Sequence, residues 1–193
     1  MWYGGSGTPL SSEQAQTLIS RIAALNPDNP RGSELSDALR TFAEGDDGDE
    51  VYVVNLLRFR DKAVYPPGHD YDDDARAAWD RYTGTVLSDA LTRGIVPVLL
   101  GNTVVSFPNS EGISGWDHIA IARYRSRRDM LETFIHLNES GNLLHKTASI
   151  ESTFIFVVDS TFSFAFVRGT VAVFFVALGV VSHLLVRRFQ RRG

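Results

Sequence analysis

Few side chains in this sequence have the means to do chemistry, and histidine is the first to weigh. His118 lies inside residues 116–124 (WDHIAIARY), where strand alternation puts it on one face with Trp116, Ala120, Ala122 and Tyr124. On a pocket wall its imidazole would serve as an acid, a base or a ligand. Inside a core or an interface it would be a hydrogen-bonded packing residue, which is the plainer account. Asn55, in VYVVNLLRF, carries the same choice between a polar contact in a pocket and a partner for nearby backbone. Tyr82 is the phenol that a pocket holding both of them would recruit. His145 and Lys146 are placed to meet a substrate anion at the pocket mouth, or else to sit at a solvated helix end. For His136, late in its helix, a favourable interaction with the helix dipole is explanation enough.

Other chemistries are excluded or weak. The chain has no cysteine, so thiolate metal sites, disulfides and cysteine nucleophiles are out. Asp70, Asp72, Asp73 and Asp74 invite a metal reading. However, carboxylates also favour a helix N-terminus, and the run lacks the glycine and distal glutamate of a calcium loop. No phosphate loop, Ser/His/Asp order or histidine pair on one helix turn is visible. The formal net charge is -4 and the basic residues are scattered until the last turn of the chain, so no nucleic-acid partner is expected.

The elements that must position these residues follow from apolar spacing. Ser11 and Ser12 before Glu13-Gln14 open a helix carrying Leu18, Ile19, Ile22 and Leu25. A second helix is expected over 33–43 and a solvated acidic linker over 45–50, so that 1–50 forms a helical extension. Residues 51–59 then form a strand with apolar residues on both faces, as when both are covered. A helix over 72–93, ended by Gly94, is followed by strands over 95–107 and 116–124. Ser126 caps a helix beginning RRDMLETFIHL, a shorter helix runs over 142–149, and a strand over 151–158 closes the set. The order β-α-β-β-α-β predicts an α+β, ferredoxin-like domain over 51–158. Its open sheet face is as apolar as the covered one, which predicts a homodimer packed sheet to sheet.

Residues 169–186 (GTVAVFFVALGVVSHLLV) carry no charge and precede an arginine-rich tail at 187–193. This predicts a single C-terminal transmembrane helix in a lipid bilayer, joined by a short connector over 159–168. No signal-peptide pattern opens the chain, which favours a tail-anchored protein with its domain in the cytoplasm over the periplasmic alternative. Ala165, Gly169 and Ala172 form a small-residue face suited to helix packing. His183 follows Gly179 by one turn, a spacing that resembles the small-x-x-x-His pattern of bacterial light-harvesting polypeptides. That resemblance implies bacteriochlorophyll or heme as a ligand of His183; the alternative is a histidine bonded to headgroups or neighbouring helices.

Several motifs together resemble the small dimeric α/β-barrel proteins grouped as domain of unknown function 1330. They are Asn55-Leu-Leu-Arg-Phe59, Tyr82, Trp116-Asp117, Arg123-Tyr-Arg-Ser-Arg127 and His145-Lys146. The resemblance covers about 51–158 and implies a ferredoxin-like fold with a dimer whose sheets form a barrel. It implies no reaction, because fold alone does not carry function. Two functions are therefore expected in turn. The first is a non-catalytic accessory or scaffold subunit of a membrane complex of respiratory or photosynthetic type. The second is a membrane-anchored enzyme or binding protein of the dimeric α/β-barrel superfamily for a small apolar or aromatic molecule. A pocket holding His118, Asn55 and Tyr82 in mutual reach would favour the second.

Overall fold

The computed structural model describes residues 8–25, 27, 29–105, 107, 115–160 and 167–190, with side chains of the last segment described at 171–185, 187 and 188. The chain divides into two compact units between Asp159 and Ser160.

In the first unit, α1 (Ser12–Leu25) and α2 (Gly32–Glu44) precede the sheet. The start of α1 is a reciprocal capping box: Gln14 N donates to Ser11 Oγ at 3.3 Å, and Ser11 N donates to Gln14 Oε1 at 3.0 Å. Ala15, Leu18 and Ile22 recur at helical spacing and bury against Ala43 and against Leu131 and Ile135 of α4 (Arg127–Glu139). The acidic stretch after α2 is more ordered than a solvated linker. Asp46 Oδ2 accepts from Leu10 N at 2.7 Å, and Glu50 Oε2 accepts from Arg123 Nε at 2.6 Å. The Arg123 side chain is 2% exposed, so this carboxylate neutralises a guanidinium that water does not reach.

The sheet comprises β1 (Val51–Phe59), β2 (Val96–Asn102), β3 (His118–Tyr124) and β4 (Ile150–Val158), in the antiparallel order β2-β3-β1-β4. With α3 (Ala75–Thr92) between β1 and β2, and α4 and α5 (Leu143–Ser149) between β3 and β4, this is the expected α+β, ferredoxin-like arrangement. The strand expected over 95–107 is shorter, because pairing with β3 ends at Asn102↔His118. Beyond that point Val104 is 99% and Phe107 82% exposed. The helix expected from residue 72 begins at Ala75, since the Asp74 carboxylate accepts from Arg76 N and Ala77 N and so stands outside as the N-cap. At the other end Gly94 takes φ +75°, the left-handed conformation that stops a helix and that a side chain would resist.

Leu57 and Phe59 of β1 bury against Trp79 and Tyr82 of α3 and Ile150 of β4, which fixes which face α3 covers. Leu57 is fully buried, a contribution of about 1.5–3 kcal/mol relative to exposure. Register carries the same face onto β3: His118, Ala120, Ala122 and Tyr124 pair with Leu57, Asn55, Val53 and Val51. On the other face β4 presents Phe154, Phe156 and Val158, each 39–53% exposed.

The second unit contains α6 (Val167–Gln190). Among the described residues no helix is long and apolar enough to cross a membrane, which overturns the expected transmembrane helix, its bilayer partner and the single-pass membrane localisation. Ala172 and His183 are exposed on this helix. Ala165 lies outside the described residues, as does the side-chain environment of Gly169, so the proposed packing face has one described member.

Candidate active site between helix α3 and the sheet

The chemistry gathers under α3. Ala75, Ala78, Trp79 and Tyr82 recur three and four apart, so one face of the helix presents two large aromatic rings to the sheet. Beneath them β3 places the small side chains of Ala120 and Ala122, and a cavity of about 130 Å³ lies there. Its walls include Trp79, Tyr82, Val86, Ala122 and Tyr124, and Leu87 and Leu100 at the rim are 41% and 52% exposed. An apolar, partly open space of this size matches the volume at which a dry cavity admits a single benzene-sized ring.

Asn55 and Lys146 enter this cavity from β1 and α5. Lys146 Nζ donates to Asn55 Oδ1 at 3.3 Å and stands 5.8 Å from the Tyr82 ring centroid. The side chain as a whole is half-buried, and the ammonium end is the buried part. Its partners are a neutral amide and a π face, and among the described residues no ion pair includes it. Burial therefore lowers its pKa from the usual lysine value to about 8. Burial also pushes the Tyr124 phenol up to about 12, and it raises Tyr82 further, with Tyr124 adding to the effect. Both rings stay protonated donors at neutral pH.

The other expected residues stand apart. His118 is buried edge-on between Phe59 and Trp79, with ring centroids at 6.0 and 5.5 Å, and its Nδ1 lies 2.9 Å from Asn102 Oδ1. With an amide oxygen as partner Nδ1 carries the proton, which leaves Nε2 as a buried lone pair without a described partner. Desolvation, and then the charge of Arg76, lowers the His118 pKa and keeps the ring neutral. It shares Trp79 with the cavity but is not one of its walls. His145 turns away, its Nδ1 2.9 Å from the Tyr65 hydroxyl and its ring 5.0 Å from Tyr71, and desolvation, then Arg81 and His69, lowers its pKa. His136 meets Asp89 at 3.1 Å.

The acidic run resolves into separate roles. Asp74 caps α3, Asp73 pairs with Lys62 and Asp72 with Arg81, and in each of the latter two pairs the hydrogen bond holds the carboxyl below its usual pKa. A larger groove of about 520 Å³ lies along α1 and α2, but its walls are chiefly small and polar residues such as Ser12, Gln16, Ser20 and Ser36. The smaller cavity concentrates the reactive groups.

Of the expected trio His118, Asn55 and Tyr82, the cavity holds Asn55 and Tyr82 and leaves His118 outside. Lys146 was read only together with His145, as an anion contact at the pocket mouth or a solvated helix end. Neighbours on a helix point about 100° apart, so only one of the two can enter the cavity, and spacing within a seven-residue helix does not say which. Asn102, the partner of His118, carried no signal of its own.

No family model matches this chain, and no curated protein sequence matches it. Among solved structures, a protein of unknown function from Rhodopseudomonas palustris is 20% identical, with a TM-score of 0.57 over 66% of this chain and 94% of that one. Its methylated form matches at 22% identity and a TM-score of 0.54, over 66% and 93%. A dimeric protein of unknown function and ferredoxin-like fold from Bacteroides fragilis matches at 12% identity, over 57% and 96%, with a TM-score of 0.38 that carries no argument. The Rhodopseudomonas likeness shows a shared fold, and the resemblance to domain of unknown function 1330 stays a resemblance.

Proposed function

We propose that this protein binds a small, single-ring apolar or aromatic molecule in the cavity between α3 and the sheet, and acts on its polar end through Lys146. One observation carries the reading: Asn55, Tyr82 and Lys146 converge on a cavity whose other walls are largely apolar. The scaffold reading rested on a domain held at a bilayer and on the lack of a reactive constellation. The first support is overturned and the second is weakened by Lys146. Phe154, Phe156 and Val158, exposed on the sheet face opposite α3, favour a homodimer joined through that face.

Ligand-observed NMR with a panel of single-ring aromatic alcohols and aldehydes tests the pocket. The full chain should show saturable binding, and Ala122→Leu, which fills the cavity, should lose it. Equal binding by both proteins would place the ligand elsewhere and end this reading.

A further inference from the structure

The sequence contains two lysines, and arginine supplies every other fixed side-chain cation. Lys62 is exposed and paired with Asp73, as a surface lysine commonly is. Lys146 is the reverse: its amine faces apolar walls, a neutral amide oxygen at 3.3 Å and the Tyr82 ring. A site made to hold a carboxylate would be better served by arginine, whose planar fork pairs with it through two hydrogen bonds. Lysine has one property arginine lacks, the ability to give up its proton and present a nitrogen lone pair.

We propose that the Lys146 amine is a nucleophile that condenses with the carbonyl carbon of an aldehyde or ketone held in the α3–sheet cavity. The inference rests on the pocket reading above and names its substrate class. The nitrogen lone pair forms an N–C bond while the carbonyl π pair moves to oxygen, and the amine's proton transfers to that oxygen to give a carbinolamine. The nitrogen then forms C=N as the C–O bond breaks, and the oxygen leaves as water with the amine's second proton. One carbonyl compound and one amine give one imine and one water, with no oxidant or reductant. Tyr82 and Tyr124, held as phenols by their burial, are the acids lining the cavity in which those protons move.

The test uses the full chain with benzaldehyde, cyanoborohydride and peptide mapping, with Lys62 and the terminal amine as references within the same molecule. At neutral pH the reduced benzyl adduct should accumulate on Lys146 at least about tenfold faster than on Lys62, since each unit of lowered pKa exposes about tenfold more free amine. Lys146→Gln should abolish the fast adduct, and Lys62→Arg should leave it unchanged. Benzyl alcohol fits the same space but has no carbonyl, and its binding is measured alongside. Saturable benzyl alcohol binding with no preference for Lys146 over Lys62 overturns the nucleophile while leaving the pocket intact. Tighter binding of benzoate than of benzaldehyde, again without adduct, overturns it in favour of an anion clamp. If none of the three compounds binds, the pocket reading falls and takes the nucleophile with it.

Discussion

Lys146 sets the most direct expectation about pH. In the unfolded chain its amine keeps a proton up to the usual lysine value of 10.5, whereas in the folded chain it releases that proton near 8. Between those values the unfolded state binds more protons, so stability should rise with pH across that window. Below about 8 the folded protein carries the full cost of a poorly compensated ammonium. Lys146→Met keeps the volume and removes the charge, so it should stabilise the protein by on the order of 1 kcal/mol at neutral pH and abolish the rise. Urea unfolding of both proteins at about pH 7 and about pH 10 measures the two effects together. A parent protein with equal stability at both values would show that water reaches the Lys146 amine. His118 teaches the complementary lesson. Alternation grouped it with Ala120, Ala122 and Tyr124 without saying what covers that face; in the fold Phe59, Trp79 and Asn102 take up its surroundings, and the cavity forms beside it.

Helix α3 holds the aromatic half of the site, and its N-terminus is capped by a side chain. Asp74 satisfies two of the orphan amides there, from Arg76 and Ala77. Asp74→Ala should cost about 1 kcal/mol of global stability, read as a lowered melting temperature. Asp74→Asn, which keeps the accepting oxygen, should restore most of it. A loss that Asn fails to restore would mean that charge, and not the cap, matters at this position. The element boundaries show where spacing stops being informative. Apolar periodicity placed α1, α3, α4 and β1 well because each buries a regular stripe. It overran β2, since Val104, Val105 and Phe107 are as apolar as strand residues but have no partner on β3 within the described pairing. Strand length is set by the neighbour, which a local pattern does not contain.

At the scale of the molecule, two of the apolar surfaces among the described residues bear on assembly. Phe154, Phe156 and Val158 line one face of β4, and Phe174, Phe175 and Val176 are exposed on α6 in the second unit. A chain ending at Asp159 isolates the first surface from the second. It should sediment as a dimer, and Phe156→Glu should return it to a monomer with its circular dichroism unchanged, because the substituted side chain is already 39% exposed. A parent chain that sediments as a monomer at high concentration would remove the dimer from consideration.

Composition and spacing alone were enough to establish the α+β class, the β-α-β-β-α-β order, the face shared by His118, Ala120, Ala122 and Tyr124, and the absence of thiol chemistry; Trp116, expected on that face, precedes β3, which begins at His118. These depend on local periodicity and on residue type, both of which a single chain displays directly. The length of β2, the order within the acidic stretch before β1, and the entry of Lys146 but not His145 into the cavity depended on which segments meet in space. The cavity itself arises because two alanines of β3 lie beneath two aromatic rings of α3. Neither set is unusual in its own segment; the unfilled volume exists only once helix and sheet are packed together, and it is that volume which gives the lysine its environment.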